Sequence, residues 1–209
     1  GLSKRTTTLH RTVREQSIDA LAAALATGHG RDVDVQDDHG WSPLMNAAAV
    51  DDEILGPQLV ALLLTHSASV NLRDRSGYTA LHWAVAVGST GAMRILHTAG
   101  AALDDGAGGS GETPMHRACR LCRPEALKVL LELGADPAVM NSALELPIDL
   151  VGQLPGVEAD FDDKKAIRAL LLEKEPSRRL LVLHHPDCLD HVTAPGHQEA
   201  PGRISAIMD

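Results

Sequence analysis

The chain is nearly without aromatic side chains: Trp41, Trp83, Tyr78 and Phe161 are all it has among 209 residues. A core so poor in rings has to close on Leu, Val, Ile and Ala. That suits closely spaced helices better than a β-sandwich, which draws on aromatic and β-branched residues. Cysteine is equally scarce, and three thiols (Cys119, Cys122, Cys188) are too few and odd in number for a secreted disulfide scaffold. An intracellular setting, cytoplasmic or nuclear, is the expectation. No run of about 18 apolar residues occurs, so no transmembrane helix is read and no membrane partner is expected. Cationic residues are in deficit, 19 Lys and Arg against 28 Asp and Glu, for a net charge of −9. That balance argues against direct nucleic-acid binding, which needs a basic footprint on the phosphate backbone. The opening Gly1-Leu2-Ser3-Lys4-Arg5 has neither an initiator Met nor a signal-peptide core, and a longer parent chain is expected.

What the sequence has in quantity is repetition. Residues 111–118 read Gly-Glu-Thr-Pro-Met-His-Arg-Ala, 77–84 read Gly-Tyr-Thr-Ala-Leu-His-Trp-Ala, and 40–47 read Gly-Trp-Ser-Pro-Leu-Met-Asn-Ala. Residues 144–151 (Leu-Glu-Leu-Pro-Ile-Asp-Leu-Val) and 7–12 (Thr-Thr-Leu-His-Arg-Thr) are worn copies. The apolar anchors Leu9, Leu44, Leu81, Met115 and Ile148 lie 35, 37, 34 and 33 residues apart.

Each feature of the unit has a physical reason. Gly40, Gly77 and Gly111 suit a tight turn needing positive φ. The Thr or Ser that follows can cap a helix, and Pro43, Pro114 and Pro147 fit the first helical position. Thr12, Ala47, Ala84, Ala118 and Val151 stay small or β-branched, letting a neighbouring helix come close. A second apolar helix is predicted in every unit, at 18–25, 59–64, 92–97, 126–131 and 166–172, four of them ending near Gly28, Ser67, Gly100 and Gly134. No unit hides its apolar face alone, so the units must stack on one continuous core.

The period and the Thr-Pro-Leu-His-x-Ala pattern resemble the ankyrin repeat. The resemblance implies an all-α ankyrin-repeat solenoid over residues 5–173, with units at about 5–36, 37–73, 74–107, 108–140 and 141–173. It also implies a protein–protein interaction scaffold. The last unit has lost its Gly and Thr (Leu144, Leu146) and carries an insertion near 156–163.

A linker at 174–179 leads to a different segment. Leu180–Leu183 reads as a short strand, His184-His185-Pro186 as a loop, and a helix starts near Pro201. With His197, Glu199, Pro201 and Arg203, residues 180–209 resemble the start of a zinc-dependent histone deacetylase-like domain, a short truncated α/β-like addition to the solenoid. Gln198 and Ala200 depart from that family's pattern. The resemblance implies a parent hydrolase that deacetylates acyl-lysine. The family's zinc ligands lie further downstream, so no catalytic residue, metal ligand or cofactor is assigned within this chain, and zinc is expected only in a complete parent domain.

Candidate binding residues come from equivalent slots of the stacked units. Trp41, Tyr78, Glu112 and Glu145 follow the turn and form a line running from aromatic to acidic. Asp38, His39, Arg75, Ser76 and Ser110 vary at the turn tips, where packing does not constrain them. Trp83 reads as core. His10, His82 and His116 recur in one slot and read as hydrogen-bonding groups within and between units. Cys119 reads as a small core residue, and Cys122 stands where a helix-ending Gly is usual. Gly106–Gly111 lacks the Lys-Ser/Thr of a phosphate loop and reads as a hairpin tip. A protein or peptide partner is expected, and the acidic balance favours a basic one.

Overall fold

The computed structural model describes residues 7–27, 33–153 and 161–174. The chain divides into two units, Gly1–Leu170 and Leu171–Asp209. Of the second, only the end of the last helix lies among the described residues. The segment 180–209, with its expected strand and deacetylase-like start, lies outside them.

The first unit is built from helical pairs: α1 (Thr8–Arg14) with α2 (Ile18–Ala26), α3 (Pro43–Ala48) with α4 (Leu55–Thr65), α5 (Ala80–Val87) with α6 (Thr90–Thr98), and α7 (Pro114–Arg120) with α8 (Pro124–Leu133). The last helix, α9, spans Phe161–Lys174. The first helices α1, α3, α5 and α7 pack in one row, and α2, α4, α6 and α8 in a second. Among the described residues no strand forms, and the sole β-type pairing is an isolated bridge between Ala107 and Glu112. Leu9, Leu44, Leu81 and Met115 are each at most 1% exposed, so the anchors form a single buried row. Burying each such side chain contributes about 1.5–3 kcal/mol. Thr12, Ala47, Ala84, Ala118 and Val151 are buried beside them.

The first helices are capped and bolted by the same residues. In α1, α5 and α7 the backbone N–H of Thr7, Thr79 and Thr113 donates to Nδ1 of His10, His82 and His116, at 3.3, 3.2 and 3.2 Å. Nδ1 therefore accepts, and Nε2 carries the proton. Nε2 donates to the carbonyl of the next unit: His10 to Trp41 at 2.8 Å, His82 to Glu112 at 3.1 Å, and His116 to Glu145 at 3.0 Å. The repeated histidine thus ties each unit to the following turn. The second unit has Met45 in this slot, and among the described residues the Tyr78 carbonyl receives only its own turn's Asp74 N–H, at 2.9 Å.

The fifth unit departs from the expected helical pair. Its first element is a 3₁₀ turn, Pro147–Leu150, rather than an α-helix. Leu146 replaces the capping Thr, so the Leu146 N–H is satisfied instead by Asp149 Oδ2 at 2.9 Å. Gly152 follows at φ 71° and turns the chain away after one turn. Ile148 is only half-buried, and Leu150 fills the core in its place.

Candidate functional site: an aromatic groove across two turns

The turns that join successive units are built around one acceptor slot. Asp37 Oδ1 accepts the N–H groups of His39 (2.9 Å) and Trp41 (3.0 Å). Asp74 Oδ1 does the same for Ser76 (2.8 Å) and Tyr78 (2.9 Å). Asn141 Oδ1 repeats it with Ala143 and Glu145, both at 2.9 Å. In each case the side chain closes the turn by standing in for a backbone acceptor. Gly40 and Gly77 take φ 80° and 84° to complete it, and Leu144 takes φ 63° in the Gly slot of the last turn.

Neighbouring turns touch through their backbones. The Arg75 N–H donates to the His39 carbonyl at 3.2 Å, and the Ser142 N–H to the Ser110 carbonyl at 2.9 Å. A Cβ placed on Gly77 would lie 2.0 Å from the Gly108 nitrogen. Side chains add to the seam. Gln36 Nε2 donates to the Gly40 and Arg73 carbonyls, both at 2.6 Å, and Arg73 Nη1 to the Gly77 carbonyl (3.1 Å) and the Gly106 carbonyl (2.6 Å).

This seam sets the position of a groove of about 540 Å³ between the turns and the first helices. Five of the nine sequence-derived candidates line it: His39, Trp41, Arg75, Ser76 and Tyr78. Its floor is aromatic. Trp41 and Trp83 stand 4.2 Å apart between ring centroids, and Tyr78 meets Trp83 edge-on at 5.7 Å. Trp83, expected in the core, is half-buried and lines the groove, because its indole N–H reaches out to Asp74 Oδ2 at 3.1 Å. Arg14 and Asn46 join the wall. The Arg14 Nη2 donates to Asp37 Oδ2 at 3.0 Å, and its Nε to Asn46 Oδ1 at 3.2 Å. Arg117, from the following unit, lays its guanidinium 4.4 Å from the Tyr78 ring centroid and 4.9 Å from that of Trp83.

The remaining candidates are placed elsewhere. Glu112, expected to continue the exposed line, is buried and its carboxylate pairs with Arg120 of its own unit. The turn before it is one residue longer: Ala107 N–H donates to the Glu112 carbonyl at 2.8 Å, and a 3₁₀ turn at Gly108–Ser110 replaces the Asx acceptor. Glu145 is half-buried and accepts from Asn141 Nδ2 at 2.9 Å. Ser110 is exposed at its tip, where its hydroxyl donates to the Ala107 carbonyl at 3.1 Å. Asp38 is half-buried outside the groove lining.

The sequence reading missed Arg14, Asp37, Asn46, Asp74, Trp83 and Arg117. A signal for part of them was present. Asn46, Trp83 and Arg117 share the variable slot of the Thr-Pro-Leu-His-x-Ala pattern, and Asp37, Asp74 and Asn141 share the slot that opens each turn.

Among the described residues, the repeat histidines His10, His82 and His116 and the thiols of Cys119 and Cys122 are buried. Burial pushes the His82 imidazole down to about 4, and lowers His10 and His116 as well. Burial raises both the Cys119 and Cys122 thiols. Cys122 takes φ 50°, the helix-ending role of a Gly. Among the described residues no three His, Cys, Asp or Glu side chains gather as a metal site, and no helix is long and apolar enough to cross a membrane.

A family model described as Ankyrin repeats (3 copies) matches residues 49–141. Ankyrin repeat and SOCS box protein 11 of Danio rerio is 40% identical over 91 residues, 44% of this chain and 30% of that protein. The BTB/POZ domain and ankyrin repeat-containing protein NPR5 of Oryza sativa subsp. japonica is 32% identical over 148 residues, 70% of this chain and 27% of its own length. Protein phosphatase 1 regulatory subunit 27 of Homo sapiens is 33% identical over 94 residues, 45% of this chain and 60% of its own. The chain thus spans less than two thirds of each of these relatives. Residues 49–141 thus match ankyrin repeats, and the paired helices and buried anchor row accord with that match.

Proposed function

We propose that the groove between the second and third units is a protein-interaction surface that binds a peptide or an exposed segment of a folded protein in an intracellular setting. One observation carries the reading: Trp41 and Tyr78, from consecutive turns, meet Trp83 in a half-buried cluster at the surface. Partly exposed aromatic clusters on rigid supports are favoured anchors of protein interfaces, because they offer large contact area at little ordering cost. The Asp37 and Asp74 carboxylates are held by their turns, so the surface is preformed.

No enzymatic activity is proposed for this chain. The resemblance of residues 180–209 to a deacetylase start, and a parent enzyme acting on acyl-lysine, rest on residues outside the described ones and carry no part of this proposal.

The test is affinity capture from cell extract with the full chain against its Trp41→Ala/Tyr78→Ala variant, both checked by circular dichroism for an unchanged helical signal. Loss of two anchors should weaken a groove-bound partner by about 30-fold or more. Equal capture by a folded variant would refute this site.

A further inference from the structure

Net charge describes the whole surface, and the groove departs from it. Its two carboxylates are buried, and each accepts three hydrogen bonds from the protein. The Asp37 side chain is 1% exposed, and its oxygens accept from two turn N–H groups and Arg14. Asp74 is buried and accepts from two turn N–H groups and the Trp83 indole. Both are buried, so a cationic ligand lying in the groove meets little of either carboxylate.

Of the cations at the groove, Arg14 is engaged by Asp37 and Asn46, whereas Arg75 on the rim and Arg117 beside the lining stand the other way. Arg75 is exposed at the rim, and among the described residues no hydrogen bond or ion pair engages its guanidinium. Arg117 is held only by the ring faces, and its Nε is buried with no hydrogen-bond partner among the described residues. Guanidinium groups so placed are ready for a carboxylate. The Arg117 guanidinium also occupies the ring faces that an incoming Lys or Arg would use.

We infer that the groove takes an acidic peptide, with an apolar or aromatic side chain on the Trp41–Trp83 floor and an Asp or Glu carboxylate at Arg75 and Arg117. The inference rests on the proposed interaction surface and specifies the chemistry of its occupant, opposite in sign to the basic partner that the net charge favours.

Trp41 and Trp83 are the chain's only tryptophans, so its indole emission reports this groove. The test immobilises the full chain and selects from a displayed random 12-residue peptide library. Enriched peptides are then made synthetically and titrated by indole emission against the wild type and Arg75→Glu, an exposed substitution that leaves the core untouched. The expected result is enrichment of Asp and Glu beside an apolar residue, a change in emission on binding, and about 10-fold or greater weakening by Arg75→Glu, the scale of a lost charge-assisted bond. Basic or neutral peptides that change the emission would overturn the acidic class and leave the groove standing. Enriched peptides that leave the emission unchanged, or no enrichment over the starting library, would overturn both readings.

Discussion

The turn-to-turn seam predicts a graded response to a single added methyl group. At Gly77 (φ 84°) a Cβ would meet the Gly108 nitrogen at 2.0 Å and its Cα at 2.4 Å, both backbone. At Gly40 (φ 80°) the nearest atom is the Arg75 nitrogen at 2.7 Å, and at Gly100 (φ 92°) nothing lies within 4 Å. All three substitutions to Ala incur left-handed strain of about 1–2 kcal/mol. All three recover about 0.4–1 kcal/mol from a less disordered unfolded chain. Gly100→Ala should therefore cost no more than about 1.5 kcal/mol. Gly77→Ala must also displace the neighbouring turn by more than an ångström. Overpacking of that kind adds about 1–3 kcal/mol, for a total of about 1–4.5 kcal/mol. Urea unfolding followed by circular dichroism gives the three values directly. The expected order is Gly77→Ala most destabilising, Gly40→Ala between, Gly100→Ala least. Equal effects at Gly77 and Gly100 would show that the turns are not in contact, and the groove they frame would lose its basis.

Other outcomes follow from the same structure. His82 is held near 4 against an ordinary 6.5, so the unfolded chain binds the extra proton first as pH falls. Its contribution is complete above about pH 6.5 and is lost toward pH 4, at about 1.4 kcal/mol for each pH unit. Urea midpoints at pH 7.5, 6 and 5 should fall accordingly. The slope should flatten in His82→Gln, which keeps a cap but cannot reach the Glu112 carbonyl; an unchanged slope would refute the assignment. Leu144 is 78% exposed at φ 63°, so Leu144→Gly relieves backbone strain without opening a cavity. It should raise stability by about 0.5–1 kcal/mol, read as a higher melting temperature, the strain relief outweighing the added freedom of the unfolded chain.

Much of the fold was legible because the repeat imposes the same burial on the same slot. Leu9, Leu44, Leu81 and Met115 could be aligned by eye, and all four are buried. The three histidines could be read as structural for the same reason, and the structure supplies both of their bonds. The site was legible only in part. Trp41 and Tyr78 stood out as aromatics in one slot, whereas Trp83 was misread because a large ring beside core residues looks like core. Its exposure depends on the Asp74 acceptor, a contact between residues nine apart that no periodicity encodes. Glu112 was misplaced because the longer turn before it changes where the slot points, and a single residue of length in a Gly-rich loop leaves no hydrophobic trace. The fifth unit shows the same limit: losing the Thr cap could be seen, but not that Asp149 would serve Leu146 and shorten the helix to one turn.

Met45 has a consequence of its own. Imidazoles rivet the other consecutive units described above, and the junction left unriveted is the one that Trp41 and Tyr78 straddle. That junction is held instead by the packing of α3 on α5 and α4 on α6, by the Arg75 N–H on the His39 carbonyl and by the Trp41–Trp83 ring contact. A guest lying on both rings clasps together the two halves of that junction, so it stabilises the folded array by mass action.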